Sequence, residues 1–291
     1  MSVRKTRRYF RTELIKMYTN ISFVIMIIFT AVIYMTNTIY IDSMSTKSYN
    51  MFQIIGMKNR KENLKAYGIS FESIFLGTGS GYISMFGPVI AAVPFVMLFS
   101  NARKNTNVRF EIMRTGKKEY LIGKFLSAMV CGGSVIMLGY LLYGLVSLIV
   151  LPGAKEQFEI DEVISGFMAV KSVRYLYGKL GIGILYLVRS MEMFVYGMTS
   201  VMLTMLISAF VHNKYLVLCI PFMLNYFWSG LINKYLSRSV LIQYCTPSYP
   251  SMIFHLQWNE GRRVLMFWTS FMLIILALSY IVMEKRCDCG E

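Results

Sequence analysis

A long run of uncharged residues sets the strongest limit on what this chain can fold into. Between residues 125 and 151 no side chain carries a charge, and most are apolar. About 20 apolar residues are enough for a helix to cross the hydrocarbon core of a membrane, and this run is longer. Of the whole sequence 56% is hydrophobic and only 15% is charged, more apolar surface than a soluble core needs. The sequence therefore predicts an integral membrane protein.

Six apolar segments have the length and composition of membrane-spanning helices. They lie at about residues 21–41, 82–100, 125–151, 191–211, 215–236 and 264–283. We therefore predict an all-α membrane protein that forms a single domain over residues 1–291. Pro88 and Pro94 are expected to bend the second span, and Pro221 is expected to break the fifth. Ala128 and Gly132 have the small-xxx-small spacing of a close helix contact, which we assign to an exposed face that pairs with a second subunit.

The positive charges indicate the orientation of these spans. Six Lys and Arg residues precede the first span, and seven lie in the segment 101–124 between the second and third spans. Because cytoplasmic segments are enriched in Lys and Arg, both clusters belong on the cytoplasmic side, and so do the two chain termini. The net charge of +15 is then explained by anionic lipid headgroups, so we expect membrane lipid and no nucleic acid as a partner.

The segments on the opposite side of the membrane carry charges of both signs. Residues 42–81 form an outer segment that is expected to be partly helical and to end in a flexible Gly-rich junction at 77–81. Residues 154–190 are predicted to contain an interfacial helix at about 175–188. Residues 237–262 contain prolines and Trp258, which favour short helices held at the interface. Cys245 lies in this last segment and has no external cysteine with which to form a disulfide.

Basic and apolar residues are interleaved at the N-terminus in the pattern of an amphipathic helix. This helix is predicted over residues 4–19 and is expected to lie on the cytoplasmic surface of the membrane. Its candidate functional residues are Arg8, Tyr9, Arg11, Glu13, Leu14 and Lys16.

The basic segment 101–124 also contains a short apolar edge. Phe110 and Met113 are three residues apart, which places them on one face of a helix. Two interpretations remain open: a helix that docks a protein partner, or a loop that follows the orientation rule and binds lipid headgroups. The candidate partner-binding residues are Arg109, Phe110, Glu111, Met113, Arg114, Lys117, Lys118 and Tyr120.

The sequence lacks the residues or motifs that several functions require. The spans hold almost no ionisable groups apart from Glu192, which Arg189 is expected to pair, and this argues against a proton- or sodium-coupled transporter. His212 and His255 fall on opposite sides of the membrane in this topology, so they cannot share a metal ion. A Cys-x-Cys pair, Cys287 and Cys289, is a weak metal signal by itself. No Walker A sequence occurs, so we predict that the chain is not an enzyme and cannot hydrolyse ATP alone.

Two stretches resemble a known family of membrane proteins. Residues 8–17, together with residues 108–125 and their ending Tyr120-Leu-Ile-Gly-Lys124, are similar to the permease subunit of ABC-2 type ATP-binding-cassette transporters. The family often has Pro or Ser where this chain has Thr115 and Gly116, so the docking turn differs here. The resemblance implies a type V exporter fold, in which the N-terminal helix is an elbow helix and the segment between spans two and three is a coupling helix. It further implies two cytosolic ATPase subunits and a second permease, identical or homologous.

The resemblance also implies a function. The chain would be the membrane-spanning subunit of an exporter for an amphipathic substrate, such as a peptide, an antimicrobial or a lipid, in the plasma membrane of a bacterial cell. ATP and Mg²⁺ would bind the ATPase subunits, and this chain would hold no cofactor and no metal. The alternative is a membrane protein that does not transport, such as a scaffold, a sensor or a channel.

Overall fold

The computed structural model describes nine stretches of the chain. These are residues 3–41, 48–57, 60–66, 69–77, 81–104, 107–153, 183–211, 213–235 and 258–288. Within them the chain is mostly helical, and one short two-stranded sheet follows the second helix.

The helices and strands of the described residues follow one another in this order. They are α1 (Val3–Tyr18), α2 (Ile21–Thr36), β1 (Thr38–Ile41), β2 (Ser48–Asn50), α3 (Met51–Ile55), α4 (Arg60–Ala66), α5 (Phe71–Gly77), α6 (Gly81–Lys104), α7 (Asn107–Thr115), α8 (Lys117–Val150), α9 (Gly183–Phe210), α10 (Lys214–Tyr235) and α11 (Trp258–Asp288).

Membrane-spanning character is clear for three of the described helices. α6, α8 and α9 are long and apolar enough to cross a membrane, and the number rises to four if α1 and α2, which meet at an angle of 63°, together form one span. α11 contributes a shorter apolar stretch, Met266–Val282. The described part of the chain thus supports an all-α membrane protein with three or four such helices, where the sequence predicts six.

The basic segment 101–124 is far more helical than its composition indicates. α6 continues to Lys104 and α8 begins at Lys117, so two of the long helices extend into the polar region. α8 has 34 residues and is therefore about 50 Å long, well beyond the roughly 30 Å of a hydrocarbon core. Its charged N-terminal turns consequently lie outside that core.

α8 occupies the centre of the bundle and packs against α1, α2, α6 and α9. Ala128 and Gly132 are buried there, and a Cβ atom at Gly132 would lie 2.1 Å from the Val201 side chain of α9. The small-xxx-small spacing therefore serves an internal contact, and the expectation of an exposed pairing face at these two residues is wrong. The close approach requires glycine because any larger side chain would overlap α9.

The prolines of the spans leave their helices continuous. Pro88 cannot donate a hydrogen bond to the carbonyl of Ser84, and in its place Asn225 Nδ2 donates to this oxygen over 2.6 Å. The Tyr196 hydroxyl donates to the neighbouring carbonyl of Ile83 over 2.8 Å. α10 likewise runs through Pro221 without interruption, which corrects the predicted break.

The predicted ion pair between Arg189 and Glu192 is confirmed. Arg189 Nη1 donates to Glu192 Oε2 over 2.7 Å, one turn apart on α9, and both residues are buried. Tyrosines surround the adjoining core, where the Tyr34 ring lies 5.1 Å from Tyr140 and 5.5 Å from Tyr143. A pair satisfied in this way carries its charges inside the bundle without exposing them to lipid.

The segment that follows α2, predicted to lie outside, is partly helical as predicted and also forms an antiparallel β1–β2 pair. α3 begins with a capping box between Asn50 and Gln53. The predicted interfacial helix at 175–188 lies outside the described residues up to 182, and α9 begins at Gly183. Residues 237–257, which include Cys245 and His255, also lie outside them, as do His212 and Cys289.

Candidate functional site

α7 presents the apolar edge that the sequence predicts. The Phe110 side chain is 69% exposed and Met113 is 81% exposed, although both are large and apolar. Arg114 and Lys118 are exposed beside them. An exposed aromatic residue rimmed by positive charges is typical of a surface that contacts another molecule. We call Phe110, Met113 and Arg114 the α7 edge.

The turn between α7 and α8 depends on glycine. Gly116 has φ of +96°, a conformation that other residues adopt only with strain, and a Cβ atom there would lie 2.7 Å from Glu119 Oε2. The Thr115 hydroxyl donates to the carbonyl of Glu111 over 2.6 Å, which ties down the last turn of α7. Thr115 and Gly116 thus form a tight reversal between the two helices.

The inner side of α7 belongs to a cluster of charged side chains whose centre is buried. Lys124 Nζ of α8 lies 3.1 Å from Glu13 Oε2 of α1 and 3.8 Å from Glu111 Oε2 of α7. Lys16 Nζ bridges the same two carboxylates, at 2.7 Å from Glu13 Oε1 and 3.1 Å from Glu111 Oε1. The Tyr9 hydroxyl donates to Glu111 Oε2 over 3.0 Å. We call these five residues the charge cluster, and it joins α1, α7 and α8.

The two central charges of the cluster are almost completely buried. Lys124 is 5% exposed and Glu13 is 4% exposed. The Lys124 ammonium also lies over the rings of Tyr120 and Phe99, at 5.2 and 5.5 Å from their centroids. A buried charge is tolerated only when it is paired, so removal of either partner is expected to be costly.

The electrostatics of Glu111 follow from its neighbours. Partial burial by itself raises the pKa of this carboxyl, but the positive charges of Lys124 and Lys16 and the hydrogen bonds from Lys16 and Tyr9 outweigh burial and hold the pKa below its usual value. Glu111 is therefore ionised at neutral pH, and the cluster consists of two carboxylates shared between two ammonium groups.

The motif Tyr120-Leu-Ile-Gly-Lys124 packs against the N-terminal helix, α1. The Tyr120 ring packs 5.5 Å from the Tyr9 ring, and Lys124 binds Glu13. Gly123 lies directly under Tyr9, since a Cβ atom added to it would come within 2.6 Å of Tyr9 Cδ1. Each of these motif residues thus makes a contact with α1 inside the molecule.

The structure divides the predicted residues between an exposed surface and an internal contact. Of the partner-binding set, Phe110, Met113, Arg114 and Lys118 are exposed, Glu111 and Lys117 are half-buried, and Tyr120 is only 2% exposed. Arg109 lies in α7, but its side chain is outside the described residues. Of the α1 set, Arg8, Arg11 and Lys16 are exposed, Leu14 is half-buried, and Tyr9 and Glu13 are buried.

Lys124 is the residue of the charge cluster that the sequence analysis does not assign to a site. There it counts as a positive charge of segment 101–124 and as the last residue of the motif Tyr120-Leu-Ile-Gly-Lys124, with no partner assigned. Its position between Gly123 and Phe125, at the start of a long apolar run, is the signal that it points into packed helices.

No group of His, Cys, Asp and Glu within the described residues could hold a metal ion. In comparisons with protein-family models, with curated proteins and with solved structures, none matches this chain.

Proposed function

We propose that this chain is the membrane-spanning subunit of an ATP-driven exporter of the ABC-2 type. In this proposal six spans cross the plasma membrane of a bacterial cell, with both termini in the cytoplasm. Two copies of a cytosolic ATPase bind ATP and Mg²⁺, and a second permease completes the path for an amphipathic substrate. α1 acts as the elbow helix and α7 as the coupling helix.

One observation carries the proposal: the exposed α7 edge is connected through the charge cluster to the long apolar helix α8. The α7 edge faces away from the molecule, while Glu111 on the same helix binds Lys124 and Lys16. A force applied to α7 is therefore passed to α1 and to α8, which continues into the bundle. Such a link is what a subunit moved by a partner ATPase requires, because binding energy can bias a conformation only through contacts that differ between states.

A headgroup-binding loop accounts less well for the same geometry. Lipid headgroups would be served by lysine and arginine side chains alone. A helix lying on lipid would bury an exposed phenylalanine and methionine equally well, but it does not require the ion pairs that tie Glu111 on the inner side of α7 to Lys124 and Lys16. A non-transporting scaffold would also not require a connection between α7 and the bundle.

The test is whether the permease associates with a cytosolic ATPase of the ATP-binding-cassette type, for which the genes beside its own are the first to search. Phe110→Ala is expected to weaken that association by about 2 kcal/mol or more, because an aromatic anchor at an interface centre contributes that much. Arg114→Glu is expected to weaken it and to uncouple ATP hydrolysis from transport. Copurification and substrate-stimulated ATP hydrolysis measure the two effects.

Two control variants lie on the outer segment. Phe52→Ala removes a similarly exposed phenylalanine, 47% exposed on α3, and Lys61→Glu reverses an exposed charge on α4. Both should leave association and hydrolysis unchanged. ATPase binding that is the same for wild type, Phe110→Ala and Arg114→Glu would exclude α7 as the coupling element.

A further inference from the structure

A cavity of about 300 Å³ lies between α6, α9, α10 and α11. This is about twice the roughly 150 Å³ of an engineered cavity that holds benzene, so a molecule with a long alkyl chain or two rings fits. Four aromatic side chains form much of its wall: Trp228, Phe267, Trp268 and Phe271. Walls of this kind favour an apolar ligand.

Three buried polar side chains face the same cavity. Thr199 and Asn225 are 6% exposed and Ser200 is 9% exposed. The hydroxyls of Thr199 and Ser200 both donate to the carbonyl of Tyr196, each over 2.8 Å, so their protons are already used. Asn225 Nδ2 donates to the carbonyl of Ser84 over 2.6 Å. What these side chains can still offer a ligand is mainly oxygen lone pairs, which accept hydrogen bonds.

The charge of the ligand follows from the lining. No charged side chain lines the cavity in the part of the chain that the structure describes. An anionic group buried there would have no counter-ion, which is strongly unfavourable. The wall thus selects against carboxylates and phosphates, whereas a hydroxyl group needs no counter-ion.

We propose that this cavity binds an uncharged lipophilic molecule that carries a hydroxyl group, in the manner of a long-chain alcohol. Its apolar body lies against the aromatic wall, and its O–H donates to one of the oxygens of Thr199, Ser200 or Asn225. Binding needs no ATPase, so the proposal stands or falls separately from the transport function.

Tryptophan fluorescence gives a direct readout. The chain contains three tryptophans, and Trp228 and Trp268 line the cavity while Trp258 begins α11. A long-chain alcohol with a terminal bromine, a short-range quencher, is titrated into the purified protein carrying Trp258→Phe. We expect quenching that saturates and that the same alcohol without bromine reverses. The brominated carboxylate of equal chain length should bind at least about tenfold more weakly.

Five variants test whether the fluorescence quenching comes from binding in the cavity. Leu203→Phe, which fills part of the space, should abolish the saturable quenching. Thr199→Val, Ser200→Ala and Asn225→Leu each remove one candidate acceptor. The variant that removes the acceptor in use should weaken the alcohol roughly fivefold, the effect of one lost hydrogen bond, and an unchanged affinity in all three would contradict the proposed contact. Thr269→Val is the matched control, because this threonine is exposed on α11 and also donates to its own helix, at Met266. It should change nothing.

Partition of the probe into detergent would give quenching that does not saturate and is the same in all variants. That result, or alcohol binding that survives Leu203→Phe, or equal binding of the carboxylate, would overturn the proposal.

Discussion

At the scale of single residues, the charge cluster depends most on Lys124. It brings a positive charge to a 4% exposed carboxylate of another helix, and aromatic rings cover it. Breaking a buried pair from one side leaves the other charge without compensation, whereas replacement of both partners by neutral groups costs little. The cluster is therefore expected to respond strongly to single substitutions and weakly to paired ones.

Lys124→Met should lower the thermal stability of the purified protein, by an amount approaching the roughly 3 kcal/mol typical of such a loss, because Lys16 compensates Glu13 only in part. The double variant Glu13→Gln with Lys124→Met should regain most of the loss. Thermal unfolding of the two single variants and the double variant gives the coupling between the residues. Lys118→Met, on the exposed side of α8, is the control and should have little effect. Strictly additive losses would show that the pair is not coupled.

The lowered pKa of Glu111 leads to a pH prediction. Its pKa is below the usual value of 4.5 in the folded protein, so ionised Glu111 stabilises the contact of α7 with α1 and α8 at any pH above 4.5. This contribution should be lost as the pH falls below 4.5 and through the folded pKa. Unfolding of wild type and of Glu111→Gln, compared between about pH 6 and about pH 3, should show a stability difference that shrinks with acid. A constant difference would contradict the assignment.

At the scale of the helices, α1 packs closely against α8 because Gly123 has no side chain. Gly123 lies under the ring of Tyr9. Helix propensity alone would make Gly123→Ala stabilising by up to about 1 kcal/mol, whereas the overlap with Tyr9 predicts a loss of about 1–3 kcal/mol. We expect the loss, measured by thermal unfolding.

Gly230→Ala is the matched control for this substitution. Gly230 also lies inside a helix, α10, and among the described residues a Cβ atom there would meet no atom of another part of the chain within 4 Å. It should be neutral or slightly stabilising. If both variants gained stability, the close contact between α1 and α8 would be excluded.

The sequence predicts those features of the site that depend only on residues close together in the chain. The spacing of Phe110 and Met113 is enough to place both on one face of α7, and the exposure of both agrees with it. The charge cluster joins residues about a hundred positions apart, such as Tyr9 and Glu111, and no local pattern specifies that pairing. The inward positions of Tyr120 and Lys124 depend on the same long-range contact.

Helix ends in the polar region were harder to predict for a different reason. Hydropathy reports where a helix leaves the hydrocarbon core, and α6 and α8 both continue beyond it, to Lys104 and from Lys117. Charged residues have good helix propensity, so the change in composition does not end the helix. The short β1–β2 pair was not predicted either, because strands of four and three residues carry too little pattern.

At the scale of the whole molecule, the orientation can be tested with its cysteines. The concentration of Lys and Arg in 3–18 and 101–124 predicts that these segments lie in the cytoplasm, and with six spans the C-terminus lies there as well. In intact cells Cys245 should therefore react with a membrane-impermeant thiol reagent, while Cys287 and Cys289 should not. Variants with a single remaining cysteine allow each site to be measured. Labelling of Cys287 or Cys289 from outside would refute the topology of six spans.

The contact between α1 and α7 also constrains how the protein is made. Tyr9 and Glu111 are 102 residues apart, and at roughly 5–20 residues per second the ribosome needs about 5–20 seconds to add that much chain. During this interval Glu13 has Lys16 but neither Lys124 nor the cover of α8. The charge cluster can therefore close only once the chain beyond Lys124 has emerged.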